Sequence, residues 1–257
     1  MKYFFSTVFI LFVSLTLFPQ QEDDFNWVED NSGGIIITRY IGNGGAVTIP
    51  AKINGMPVFI IGDESFINRN ITSVSIPNTV THIGAFAFMN NKITNVTIPD
   101  SVTSIDRLAF QNNYLTSIIL PNEVSFIGNN AFSENLLISV IIPDSLTSIS
   151  FGVFSDNNLS SVYIPNSITL IGAYSFARNQ LSSIIISNRV SVIYGGAFSG
   201  NPLIGVTIGA NVNLDGEFGF RHIVDPSALF DEFYNNSGRQ AGTYIRLNTE
   251  SSIWIRN

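Results

Sequence analysis

A solenoid of short, stacked coils with parallel strands is the fold class the sequence predicts, and three observations predict it. One pattern returns every 22 residues across 61–214, with phenylalanine at Phe66, Phe88, Phe110, Phe132, Phe154, Phe176 and Phe198. Every copy carries the same apolar alternation, as in Ile71-x-x-Val74-x-Ile76. A proline follows that alternation in five copies, at Pro77, Pro99, Pro121, Pro143 and Pro165, with Ser187 and Gly209 in the last two. A fixed period of this size is the signature of stacked repeats. One coil cannot bury its own apolar face, whereas a stack buries a continuous core. The L-x-x-V-x-I element is the strand pattern of leucine-rich repeats, so a leucine-rich-repeat solenoid of about seven repeats with end caps is expected.

Residues 1–20 read as a targeting segment. Lys2 gives a positive start, and Tyr3 to Phe18 is an uncharged, largely apolar run ended by Pro19. At 16 residues the run is short for a membrane span, which needs about 20, so a cleaved export signal is expected. An uncleaved anchor is the alternative, and membrane contact would then pass only through this segment. Residues 21–60 read as an N-terminal cap with a variant first coil. Ile35 to Ile41 is rich in β-formers, Gly42-Asn43-Gly44-Gly45 reads as a hairpin turn, and Val47-x-Ile49-Pro50 repeats the strand signature. A cap is needed because a bare strand edge pairs with other chains.

Within 61–214 each repeat alternates inward and outward positions, as in Val74 and Ile76 against Ser73 and Ser75. Proline ends the strand by removing a donor. Asn78 and its equivalents then suit a turn in which the side chain bonds nearby backbone. Ile83-Gly-x-x-Ala-Phe88 is too short for a long helix, so an irregular arc or a single helical turn is expected on the convex side. The phenylalanines should stack as a spine. Asn91, Asn113, Asn135, Asn157, Asn179 and Asn201, three after the spine residue, should satisfy backbone groups in the bend, with Arg69 in the first copy. Residues 215–257 read as a C-terminal cap of a short helix and a hairpin. Asp225-Pro226 starts the helix, Leu229, Phe230, Phe233 and Tyr234 form its apolar face, and 243–247 with 252–256 form the hairpin.

Composition excludes several function classes. Net charge is −7, and the 12 basic residues are scattered singly, so no cluster exists to neutralise nucleic-acid phosphates. The absence of cysteine removes disulfides, thiolate metal sites and a lipid-attachment thiol. His82 and His222 are the only histidines and stand in different registers, which leaves no metal or catalytic-triad reading. Asp63-Glu64 and Asp23-Asp24 read as solvated turns. No cofactor and no catalytic residue are assigned.

The repeat Ile-Pro-x-Ser-Val-Thr-x-Ile-Gly-x-x-Ala-Phe-x-x-Asn-x-Leu-Thr-Ser-Val, closest at 77–96 and 121–140, resembles the treponemal-type, BspA-like leucine-rich repeat of bacterial surface proteins. The entry segment from Val47 to Gly62 and the tail around 233–244 resemble the ends of such proteins, so the resemblance covers about residues 25–257. Asp106, Ser150 and Tyr194 depart from the pattern's glycine. The resemblance implies an exported protein at the cell surface, outside the cell or in the periplasm, with adhesion to host or matrix proteins or contact with other cells as its role. It implies no catalytic set and no ligand.

In such coils the outward strand positions line the concave sheet. Two rows are singled out there: Ser117, Ser139, Ser161 and Ser183, and beside them Ile119, Ile141, Tyr163 and Ile185. A contiguous apolar stripe along a serine ladder is expected to be a ligand-binding surface. The competing explanation is that β-branched residues favour strands. The expected function is therefore an exported, non-enzymatic interaction protein with a protein partner. A carbohydrate or matrix-polysaccharide binder, with Tyr163 stacking on sugar, and a purely structural envelope component are the alternatives.

Overall fold

The structure, a computed structural model, describes residues 22–214, 229–246 and 253–257. The targeting segment, Asp225-Pro226 and the link between the two closing strands lie outside the described residues. Coils of 22 residues stack in register, and like meets like along the stack. Val74 pairs with Val96, Ile118 with Val140 and Ile184 with Val206, all in parallel. The inward residues of these strands are buried and the outward ones are not, because the side-chain period of a strand is two.

A second parallel ladder runs down the stack from the isoleucine that precedes each arc. Ile61, Ile83, Ile105 and Ile127 pair in turn, and Ile149, Ile171 and Ile193 continue after a break. Each rung is only two residues long, as in Ser104–Ile105. The buried β-branched residue faces the core and its neighbour faces out. The sequence reading put Ile83 and its equivalents at the start of the arc and assigned them no strand.

The arc between this ladder and the first sheet is irregular, and none of it is helical. Two positions in every arc are left-handed. The residue two before the spine phenylalanine has φ of 55–65°, as at Glu64, Phe86, Leu108, Tyr174 and Gly196. The residue two after it has φ of 52–70°, as at Asn68, Glu134, Arg178 and Gly200. A left-handed residue breaks a right-handed helical turn and costs about 1–2 kcal/mol where it is not glycine. Bonds from one arc to the next offset that cost. The amides of Phe66, Phe88 and Phe110 each donate to the alanine carbonyl before the next spine residue, at 2.8 Å.

The spine is continuous. Adjacent rings from Phe66 to Phe198 lie 4.9–5.9 Å apart and within 25° of parallel. Tyr40 adds a further ring at the N-terminal end, 5.3 Å from Phe66. Beside the spine runs a ladder of buried asparagines. Asn135 donates through Nδ2 to the carbonyls of Phe110 (2.9 Å), Phe132 (3.2 Å) and Ser133 (3.1 Å), and its Oδ1 accepts from the Leu115 amide at 3.1 Å. The bend asparagines therefore clip each coil to the one before it.

The turn after the strand is closed main chain to main chain. Val80, Val102 and Ile168 donate to the proline three residues back at 3.0–3.1 Å. Ser187 keeps this bond with Val190 and adds one from the Arg189 amide to its Oγ at 3.0 Å, which explains why proline is dispensable there.

At the N-terminal end, Phe25–Glu29 pairs antiparallel with Ile35–Tyr40, which pairs in parallel with Met56–Ile61. Gly45–Thr48 instead pairs in parallel with Ile71–Ser75. The expected hairpin at 42–45 is therefore absent: the strands on either side of it enter different sheets, and the segment is a corner of the first coil. Gly44 is required there, with φ +81° and the Arg69 carbonyl 2.2 Å from where a Cβ would stand. At the other end the strand Gly242–Ile245 runs antiparallel to Gly205–Ile208 and to Ile255–Arg256. Helix Leu229–Asn236 packs Phe230 and Tyr234 against Tyr244, with all three buried. The Tyr234 hydroxyl donates to Gly209 at 2.7 Å, and burial pushes its ionisation up.

Candidate functional site

The two rows singled out from the sequence lie on the outward face of the first sheet. Ser117, Ser139, Ser161 and Ser183 are exposed. Beside them Ile119 is 80% exposed, Ile141 77%, Tyr163 68% and Ile185 69%. These four are the largest exposures among the exposed large apolar side chains, apart from Ile253 at 70%. Ser117 pairs with Ser139 and Ile119 with Ile141, which sets these neighbours about 4.8 Å apart.

The stripe has defined ends. The preceding coils carry Ser75 and Thr97 in its row. The following coil carries Thr207, which is half-buried because its Oγ1 meets that of Thr243 at 3.0 Å under the closing strand.

The ladder is irregular at Tyr163. Neighbouring coils form three-residue rungs, but this coil makes a single bridge from Tyr163 to Ile141. Beside it opens a groove of about 420 Å³ lined by Ser161, Tyr163, Asn166, Ser183, Ile185 and Ser187. The groove combines one aromatic face, one aliphatic side chain and several neutral polar groups. The stripe itself carries no charged side chain.

Other constellations stand apart from this face. His82 Nε2 lies 3.7 Å from Asp106 Oδ2, a half-exposed pair between adjacent coils of the second ladder. Such surface pairs are worth about 0–1 kcal/mol. Arg178 is bonded bidentately to Asp156 one coil away, which holds the guanidinium ionisation above its usual range. Phe151 and Tyr174 meet edge to face at 5.7 Å on the arc side and are partly exposed. The sequence reading did not single out this aromatic pair, because its members stand at different places in the repeat. Among the described residues no group of three or more His, Asp or Glu is arranged to hold a metal.

Comparison with known proteins places this architecture. The family profile described as BspA type leucine rich repeat region matches residues 59–180 and 105–223, with six copies. Among solved structures, the chain is similar to a leucine rich cell surface protein from Faecalibacterium prausnitzii. The identity is 26% over 75% of this chain and 71% of that one, with a TM-score of 0.51. It is also similar to a leucine-rich repeat protein of Treponema pallidum, with 24% identity, 62% and 88% coverage and a TM-score of 0.45. A leucine-rich repeat protein from Bacteroides capillosus shares 29% identity over 46% of this chain and 92% of that one, with a TM-score of 0.41. No curated protein sequence matches.

Proposed function

The chain belongs to the BspA-type leucine-rich-repeat family, and on that premise we propose that it is an exported, non-enzymatic interaction protein that binds a protein partner on the outward face of its repeat sheet. In this reading residues 1–20 direct export, 21–60 and 215–257 cap the stack, and 61–214 present the face. The partner belongs to the host or matrix, the role is adhesion at the cell surface, and neither nucleic acid nor a cofactor takes part. The similar Faecalibacterium protein is described as a cell surface protein, which agrees with export.

One observation carries the proposal. Four consecutive coils hold Ile119, Ile141, Tyr163 and Ile185 in water at 68–80% exposure, with Ile119 paired to Ile141 and Ile141 bridged to Tyr163. Strand propensity alone accounts for branched residues on a sheet, but Tyr163 and three isoleucines in unbroken succession form a contiguous apolar surface of the kind partners cover. Serines alongside supply neutral hydrogen-bonding groups at its rim.

Tyr163→Asp is expected to leave the thermal melt within about 2 °C of the parent, because the side chain is outside the core. On arrays of matrix proteins and glycans, the parent chain is expected to bind protein spots, and Tyr163→Asp to lose at least about 1.4 kcal/mol, tenfold in affinity. Because the stripe is uncharged, binding is expected to change little between about 0.05 and 0.5 M salt. Equal binding by the variant removes the stripe from consideration. Binding to glycans alone selects the second reading, which the groove beside Tyr163 favours: an aromatic face flanked by Asn166 and three serines suits a sugar ring. Cleavage of the protein by protease added to intact cells tests export, and full protection counts against it.

A further inference from the structure

One set of main-chain bonds between arcs runs from each coil to the next. Glu64, Phe66 and Asn68 donate to the carbonyls of Ala85, Ala87 and Met89 in the following coil, at 2.8, 2.8 and 3.1 Å. The carbonyls of Ala85, Ala87 and Met89 therefore face the preceding coil, where its amides cover them. The first arc has no preceding arc. Its carbonyls at the equivalent places are Asp63, Ser65 and Ile67. Tyr40 donates to Ser65 at 2.7 Å, and no described donor reaches the other two.

Over this uncovered ledge lies a cavity of about 600 Å³, lined by Thr38, Arg39, Asp63, Glu64, Ile67, Asn68 and Arg69. Four of these residues are charged, in a chain where charged residues are only 12%. Neither arginine forms an ion pair: the pairs among the described residues are His82–Asp106 and Arg178–Asp156. Asp63 Oδ1 accepts from the Ala85 amide at 2.8 Å, and its Oδ2 remains. Arg69 stands where the six later coils carry the buried bend asparagine, so this coil departs from the repeat at the cavity wall.

The two signs of charge ask for a ligand that carries both. Guanidinium groups present fork-shaped donors that match a carboxylate. Carboxylates and uncovered carbonyls accept the three N–H bonds of an ammonium. The volume falls in the range of small-molecule sites, about 300–1,000 Å³, and exceeds what a single ion fills. We infer that the cavity binds a short peptide with free termini. Arg39 and Arg69 take its carboxylate, and Asp63, Glu64 and the Asp63 and Ile67 carbonyls take its ammonium.

Titration calorimetry of the full chain with triglycine, N-acetyl-triglycine and triglycine amide tests this. Triglycine is expected to bind, and each blocked form to bind at least about tenfold more weakly, since each loses one charged contact. Arg69→Asn installs the residue of the later coils, and Arg39→Gln changes an exposed side chain. Both are expected to keep the parent's melt and to lose triglycine binding by about tenfold or more. Absence of triglycine binding to the parent overturns the assignment. So does equal binding of the acetylated form, which would leave a site for anions alone, or parent-like affinity in the Arg39→Gln, Arg69→Asn double variant.

Discussion

Phe132→Ala is expected to lower the unfolding free energy by about 3–5 kcal/mol, the range for removing a buried aromatic ring from a core that cannot collapse around the gap. Phe132 is fully buried and stacks on Phe110 at 5.4 Å and on Phe154 at 5.9 Å. Collapse is blocked by the backbone on both sides. The Phe132 amide is bonded to Val153 at 3.0 Å, and the neighbouring Phe110 amide to Ala131 at 2.8 Å, so the coils cannot close up. The position also matters because a repeat stack transmits stability only between neighbours. A central ring holds the N-terminal and C-terminal halves together. Urea unfolding should therefore show a lower midpoint and a shallower slope, as the halves begin to melt separately. Phe151→Ala, three residues before a spine position and 44% exposed, is the control and should change stability by about 0.5 kcal/mol or less beyond its contact with Tyr174. A loss below about 1 kcal/mol at Phe132 would mean the spine is not the principal source of cohesion between coils.

The reach of the sequence reading follows from what repeats. The spine, the paired Val and Ile positions and the bend asparagines recur every 22 residues. A single offset therefore predicts their stacking, and the parallel register confirms the solenoid. The second ladder was not legible, because its rungs are two residues long and a pair such as Ser104-Ile105 carries no detectable alternation. The left-handed arc positions were hidden by their occupants. Phe86, Leu108 and Tyr174 are not residues that announce positive φ, and only Gly152 and Gly196 mark that place with glycine. The first coil misled because a glycine-rich segment between two β-rich runs reads as a hairpin, although the two runs belong to different ladders. On the candidate face, the outward rows followed from strand alternation, but the single bridge at Tyr163 and its groove did not. The charged cavity was beyond local reading. Arg39 and Arg69 are separated along the chain and line one cavity only because the first coil stacks on the cap strand.

Asn135→Leu is the second large effect expected, and it separates hydrogen bonding from packing. Leucine shares asparagine's branched heavy-atom skeleton and is bulkier, so the change leaves no cavity; it strips the partner from the Leu115 amide, while the Phe110 and Phe132 carbonyls keep bonds from Asn113 and Asn157. A buried amide left unpaired costs about 1–3 kcal/mol, and crowding by the larger side chain adds to the loss. The same geometry at Asn113 and Asn157 means the damage is local to two coils, since each asparagine reaches only its own bend and the one before. Amide exchange reports this directly. The Leu115 amide should lose protection in Asn135→Leu, and the Leu159 amide, held by Asn179 at 2.9 Å, should keep it. Asn95→Leu, on the exposed sheet face, is the matched control and should stay within about 0.5 kcal/mol of the parent. If Asn135→Leu matched that control, the asparagine ladder would be a by-product of the repeat, and cohesion between coils would rest on the apolar core alone. If it falls as expected, the bend asparagine holds adjacent coils together alongside the ring three residues before it. Each turn from the second coil on then carries two physically separate fasteners, one apolar and one polar, while the outward strand positions differ from coil to coil.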